Sequence, residues 1–440
     1  MTPLPPARTG GQGNLGEAIM NRQSGRNYYE GQARTSRRSV LKIAAAGATA
    51  AAVSPFMFNI ARGASDAVRV GLPVPLTGPY GTEAREQARC AQIALDEFNA
   101  AGGLNGRMAE LLVRDDKLNP GEAATRTQEL IEKDKVHFVC GSLSASVQLA
   151  VNEVCKARGV IYMSISQSDE INEVRDFSKY TFHEAMNPHM TTGPVGRYVF
   201  PKHGKRIAFL IADYAFGHEL VRGLKREGKQ YGIEVVAEVK HPIASKDFSA
   251  FMPQIQAAKP DVLFLCNFGY DQLNSIKQAI EFGFKNNMQL VVPVLLYTQR
   301  VVGGAAYDGV VGGTNYYWEL ENSIPSARAF NNTYRKLSNG SPPSDYGAYG
   351  YSGVSALLAA TRAAGSTDAD KVIAALEALK YDKYKGLQYF RKCDHQSVQS
   401  VYIIASKAQA EVKNTYDVFK IVHSEPAGEG ILRTCSELGL

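Results

Sequence analysis

Two hydroxyl-rich loops and a set of aromatic residues are the parts of this sequence best suited to chemistry. Gly141-Ser142-Leu143-Ser144-Ala145-Ser146 joins an apolar strand to a helix. Free backbone N–H groups at a helix start favour an anion, and serine hydroxyls add donors. The same loop also reads as a simple helix cap by Ser144. Ser164-Ile165-Ser166-Gln167-Ser168-Asp169 follows the next strand, where Ser and Asp equally suit a turn. Tyr214, Phe216, Phe268, Tyr270 and Tyr297 stand in loops further on, and such rings give rigid apolar area at low entropic cost. These residue types suit non-covalent capture of a small ligand. Bond-making motifs are missing: there is no G-x-x-x-x-G-K-[ST], and Gly350-Tyr351-Ser352-Gly353 is one residue short of G-x-S-x-G. His183-Glu184 and His218-Glu219 lack the second His of H-E-x-x-H. Cys393-Asp394-His395 is the only dense metal-like group and reads as a loop, so no catalytic residue, metal or cofactor is expected.

The elements that must position these loops alternate. Val68–Val74, Glu110–Arg114, His137–Cys140 and Val160–Met163 read as strands, and 83–101, 121–133 and 146–157 as helices. The beat resumes with strands at 206–211, 234–239, 262–266 and 290–294, separated by helices at 217–231, 248–258 and 271–282. Strands alternating with helices of this length predict parallel sheets with covered faces. Because the beat occurs twice, two α/β lobes are expected. Helices over 327–337 and 349–379 follow, then short strands over 386–422. Cys140 and Cys266 end apolar strands and read as core thiols; Cys393 and Cys435 could form a disulfide holding the tail.

The 440 residues carry a net charge of +6, but it is unevenly placed. Residues 1–67 hold eight bases and three acids, whereas the rest holds 41 bases against 40 acids. The body therefore lacks the basic excess of a nucleic-acid binder. Ser36-Arg37-Arg38-Ser39-Val40-Leu41-Lys42 resembles a twin-arginine export signal, followed by a weakly apolar run and small residues at 64–67 for cleavage. This predicts a periplasmic protein that meets the Tat translocase during export. No later stretch reads as a membrane span.

Val70-Gly71-Leu72-Pro73-Val74-Pro75-Leu76-Thr77-Gly78-Pro79-Tyr80-Gly81 resembles the opening of type I periplasmic binding proteins. Ala101-Gly102-Gly103-Leu104-Asn105-Gly106, Asp115-Asp116, Asn119-Pro120, Tyr214-Ala215-Phe216-Gly217, Lys259-Pro260-Asp261 and Asp394-His395-Gln396 follow in that family's order, over about residues 68–420. The nearest branch looks like the leucine/isoleucine/valine-binding proteins of ABC importers. The resemblance implies two doubly wound parallel-sheet α/β lobes joined by three crossovers. The first would be 68–188 plus 318–388 and the second 189–317 plus 389–440. It further implies hinge closure on a small ligand and work with importer permease subunits. A sensory receptor on the same fold is a second reading. By the same resemblance, Ser144, Ala145 and Ser146 hold the ligand carboxylate. Ser166, Gln167 and Ser168 take the head group; Tyr80, Phe216, Phe268, Tyr270 and Tyr297 complete the ligand-binding site. One departure stands out: Val294 falls where amino-acid binders place an acid for the ligand ammonium. Either Asp169, Asp213 or Asp271 substitutes, or the ligand is an aromatic or other apolar carboxylate or an amide.

Overall fold

The computed structural model describes residues 67–440, and the leader reading with Arg37 and Arg38 lies outside the described residues. The first lobe is laid down by β1 (Val68–Val74), α1 (Gly81–Ala100), β2 (Ala109–Asp115), α2 (Pro120–Glu132) and β3 (Phe138–Gly141). It continues through α3 (Ala145–Arg158), β4 (Ile161–Ser164) and β5 (Thr181–His183). The strands are parallel in the order β2-β1-β3-β4-β5. β3 and β4 are buried along their whole length, as strands covered by helices on both faces must be.

The second lobe repeats the plan. It runs through α4 (Pro188–His203), β6 (Arg206–Ala212), α5 (Ala215–Gly228), β7 (Glu234–His241), α6 (Met252–Ala258) and β8 (Val262–Cys266). α7 (Tyr270–Glu281), β9 (Gln289–Val294), α8 (Tyr297–Gly303) and β10 (Val311–Thr314) follow. Its parallel strands stand in the order β10-β9-β8-β6-β7, the same winding as the first sheet. Two later strands, β14 (Val401–Ser406) and β15 (Phe419–Glu425), extend the β10 edge in antiparallel fashion. In between, α9 (Pro325–Leu337), α10 (Asp345–Ala364) and α11 (Ala369–Ala378) return to the first lobe. α10 packs on α1 so tightly that a Cβ at Gly350 would lie 2.1 Å from the Gln87 carbonyl oxygen.

α4 is absent from the sequence reading. Pro194 and Pro201 lie inside it, and most of its residues are buried, so neither propensity nor a polar stripe marks it. The single helical region expected over 349–379 is two helices, broken after Gly365 at φ +61°. Cys140 and Cys266 are buried in strands, as expected.

Three segments cross between the lobes, and buried polar groups tie them together. Gln399 of the third donates to the Glu184 carbonyl of the first at 2.6 Å. Lys385 donates to the Asn315 carbonyl of the second at 3.3 Å and to the Gln399 side chain. The buried Glu184 carboxylate accepts from Ser352, Tyr381 and Gln388.

The tail corrects the expected division of the chain. Residues 389–440 do not all join the second lobe. β12 (Gln388–Phe390) sits between β11 (Lys380–Tyr381) and β13 (Ser397–Val398), and Gln396 bridges to His183 of the first sheet. After β15 the chain passes back a fourth time. Ile431, Leu432 and Leu438 bury themselves, Val174 N–H donates to the Leu438 carbonyl at 3.0 Å, and Arg433 pairs with Glu173 at 2.8 Å. A Cys393–Cys435 disulfide fastens this tail, including the short α12 (Cys435–Leu438). Asp394 and His395 beside it are structural: Arg391 holds Asp394 through two hydrogen bonds, and His395 stacks on Phe182 at 4.0 Å.

The disulfide spans 42 residues, a loop whose closure is worth roughly 4 kcal/mol in chain entropy. The Cys393→Ser, Cys435→Ser double variant should fold and lose stability of that order in urea denaturation. An unchanged midpoint would mean that the tail is held by its other contacts alone.

Candidate ligand-binding site

In a doubly wound sheet, ligands bind beyond the carboxyl ends of strands at the point where the winding reverses. In the first lobe that point lies between β1 and β3, and in the second between β6 and β8. Loops at the strand ends of the two lobes close on one another around a narrow cavity. Leu143, Ala145, Gln167 and Tyr346 line it from the first lobe; Tyr214, Phe216 and Phe268 line it from the second.

The described helix starts are of two kinds, with and without a side-chain cap, and α3 is uncapped like α1, α5, α6, α7, α8 and α9. Asn119 caps α2, Asn187 caps α4 and Ser344 caps α10, each through its side chain. Ser144, at the head of α3, makes no side-chain capping bond. The first N–H groups of a helix have no partner within it, so those of α3 remain available to a ligand. Ser144 is buried and Ser146 half-buried beside Ala145.

The second loop is held rigidly. Gln148 of α3 sits against Ser164 Oγ, the Ser166 carbonyl and the Ser168 N–H. His183 Nε2 donates to the Ser166 carbonyl at 2.7 Å; burial pulls this imidazole down to about 4, so it stays neutral. Gln167 Nε2 donates to Tyr346 Oη at 3.2 Å, while its Oε1, buried at the cavity, has no partner. Ser166 Oγ is also buried without a partner.

Aromatic side chains form the opposite wall. Phe268 meets Tyr80 and Tyr346 edge-on, each with centroids 4.9 Å apart, and Phe216 at 6.2 Å. Tyr80 Oη donates to Tyr214 Oη at 3.1 Å, across the two lobes. Burial raises the pKa of Tyr80, Tyr214 and Tyr346, so the wall carries no charge.

Of the residues the sequence pointed to, the fold brings Ala145, Gln167, Phe216 and Phe268 onto the cavity, with Tyr80 and Ser144, Ser146, Ser166 just behind them. Ser168 faces away, donating to Glu219 Oε1 of α5 at 3.0 Å. Tyr270 and Tyr297 are not in the lining. Tyr270 is 39% exposed, and Tyr297 packs toward Tyr317 and Phe419. Tyr346 was missed because the sequence reading began its helix at Tyr349; the Ser344 cap was the signal that could have found it.

No carboxylate lines the cavity. Val294 is buried at the end of β9, with its carbonyl accepting from Gln272. Asp169 pairs with Arg222 at 3.3 Å, and Asp213 with Lys240 and His218 at the surface. Asp271 Oδ2 accepts from the Ala244 N–H, while Oδ1 is buried without a partner; burial pushes this acid up to about 7.

Several contacts seal the lobes over the cavity. Tyr270 N–H donates to the Pro79 carbonyl at 3.3 Å. Gly269, at φ +58°, approaches so closely that a Cβ there would lie 2.7 Å from the Pro79 oxygen. Among the described residues no helix is long and apolar enough to cross a membrane.

A family model described as "Periplasmic binding protein" matches residues 67–411. Leu/Ile/Val-binding protein homolog 7 of Brucella abortus is 26% identical over 347 residues, covering 73% of this chain and 84% of that protein. A periplasmic binding protein from Burkholderia mallei superposes with a TM-score of 0.79 at 29% identity, covering 84% of this chain and 98% of its own. An amino acid ABC transporter substrate-binding protein from Pseudomonas fluorescens gives 0.76 at 25% identity, with the same coverage.

Gly269→Ala tests the sealing contact. A non-glycine residue in such a backbone conformation costs about 1–3 kcal/mol, and the added Cβ meets Pro79 only when the lobes are shut. The variant should melt lower and show a larger radius of gyration in small-angle scattering. An unchanged radius would show that Pro79 does not limit closure.

Proposed function

The chain belongs to the periplasmic binding protein family, beside the Leu/Ile/Val-binding proteins, and on that premise we propose that it captures a small apolar carboxylate, aromatic by preference, for an ABC importer. Proteins of this family are solute binders, not enzymes. One observation carries the reading: the cavity joins an uncapped helix start to a wall of uncharged aromatic rings, with no acid in its lining. An α-ammonium desolvated there would be unpaired, which costs several kcal/mol. A carboxylate would meet the open N–H groups of α3. Gln167 would take a donor or acceptor on the ligand body.

Capture proceeds by hinge closure. The carboxylate docks on the first lobe, and Tyr214, Phe216 and Phe268 then cover it and exclude water. Export by the Tat translocase through Arg37 and Arg38, with cleavage near 64–67, and delivery to permease subunits complete the reading. A second reading, an amino-acid ligand, is favoured by the unpartnered Oδ1 of Asp271.

Trp318, half-buried where the chain re-enters the first lobe and donating to the Tyr416 carbonyl at 2.9 Å, is the only tryptophan and reports closure without a label. Benzoate should give a saturable fluorescence change, and benzamide and L-leucine should bind more weakly. Phe268→Ala should weaken benzoate by a factor of ten or more, in line with the ~3–5 kcal/mol cost of truncating a buried Phe. Saturation by L-leucine at micromolar concentration without any response to benzoate would overturn the assignment. Asp271→Asn should then abolish leucine binding.

The leader has its own test. Arg37→Lys with Arg38→Lys should leave the precursor in the cytoplasm, since the pair is read through its guanidinium groups. Normal periplasmic yield would exclude this route.

A further inference from the structure

A second cluster lies between the lobes, outside the cavity lining. Glu83, in the first turn of α1, is fully buried. Its Oε1 accepts from Thr298 Oγ1 at 2.5 Å and from Gln299 Nε2 at 2.7 Å, both on α8 of the second lobe. Asp345, the first residue of α10, is 2% exposed, and the Tyr297 N–H of the same α8 faces its carboxyl and favours its charged form. Two first-lobe carboxyls thus face one short second-lobe helix, and Glu83 grips it. Buried polar atoms without partners surround the grip: Glu83 Oε2, Asp345 Oδ1, Gln299 Oε1, Tyr297 Oη and Tyr307 Oη.

Two carboxylates cannot both stay ionised in such a place. Burial raises each, with the other carboxyl adding repulsion at Asp345, which is pushed up to about 8. Arg85 acts on Glu83 and favours its charged form, while Tyr297, Tyr307 and Tyr346 face the pair as neutral phenols. A protonated acid supplies the donor that the orphaned oxygens lack.

We propose that Glu83 and Asp345 are positioning residues for closure, neutral when the lobes are shut and ionised when α8 lifts away, so that shutting the cleft takes up protons. This rests on the hinge-closing reading of the fold but not on the identity of the ligand. The sign follows from linkage. A group raised in the closed form favours closure below its open-state value and loses that effect as pH rises toward its closed-state value. With an ordinary open-state carboxyl near ~4, the closed-to-open ratio falls close to tenfold per pH unit for each proton taken up. For Asp345 the fall levels off near the closed-state value of about 8. Glu219, buried beside Ser168 and raised by burial and by Asp169, and Asp271, buried near Tyr80 and Tyr214, add to the response in the same sense.

Small-angle scattering of the ligand-free exported chain between pH 5 and pH 9 tests this, with melting curves confirming a folded state at each pH. The radius of gyration should increase with pH. Glu83→Gln combined with Asp345→Asn mimics the neutral acids and should stay more compact than the wild type across the range, keeping only the share of Glu219 and Asp271. Glu83→Gln alone should lose about half of the dependence, and Glu83→Ala should be extended throughout. Infrared difference spectra at pH 7 should show protonated-carboxyl absorption in the wild type that the double variant lacks. A double variant that tracks the wild type, or a wild type indifferent to pH, would overturn the proposal. Because no ligand is present, failure of benzoate to bind leaves this measurement intact.

Discussion

Everything in this molecule hangs on three chain segments lying side by side, away from water, with their backbone polar groups satisfied. Gln399, Gln396 and Lys385 supply those partners across the crossings. Burial lowers Lys385 and raises Glu184, and each is kept tolerable by the other's charge and by surrounding donors. Such a network offers little net stability, yet removing one member leaves a buried group without compensation. It fixes the relative twist of the lobes at the crossings while leaving the far ends of both sheets free to approach. The cavity sits at those far ends.

The two lobes contribute by the same geometrical rule. In each, the loops after the first and third strands of a like-ordered sheet flank the reversal point and reach the cleft. What differs is the chemistry on the loops. The first lobe offers an uncapped helix start, an amide and the Tyr346 ring; the second offers rings alone. On the proposed reading, division of this kind would let a polar head bind before the apolar cover arrives, so that the final step would bury ring against ring with no charge left to desolvate.

Much of this was legible in the residues. The strand-helix beat gave both sheets, since fully buried parallel strands are short apolar runs and their helices carry clear stripes. The hydroxyl loops follow from position at strand ends, and Phe216 and Phe268 from the family resemblance. Other parts were hidden for physical reasons. α4 carries two prolines and is buried nearly all round, so its pattern is not helical on its face. Tyr346 sits a turn earlier than its helix was read. Glu83 stands at a helix start, a place where acids are common, and its partners on α8 come from 215 residues away, so nothing local marks it as buried. The tail looked like the end of the second lobe because adjacency in sequence says nothing of a fourth return.

That return has a practical consequence. The covalent loop from Cys393 to Cys435 brings the chain end home, so Leu440 rides on the first lobe although β15, shortly before it, belongs to the second. A fluorescent protein fused after Leu440 would report the first lobe's position. Its counterpart, inserted in the exposed turn near Asn414, would move with the second. The architecture is thereby already wired as a two-colour optical sensor, with donor and acceptor on opposite jaws and no linker crossing the binding cleft.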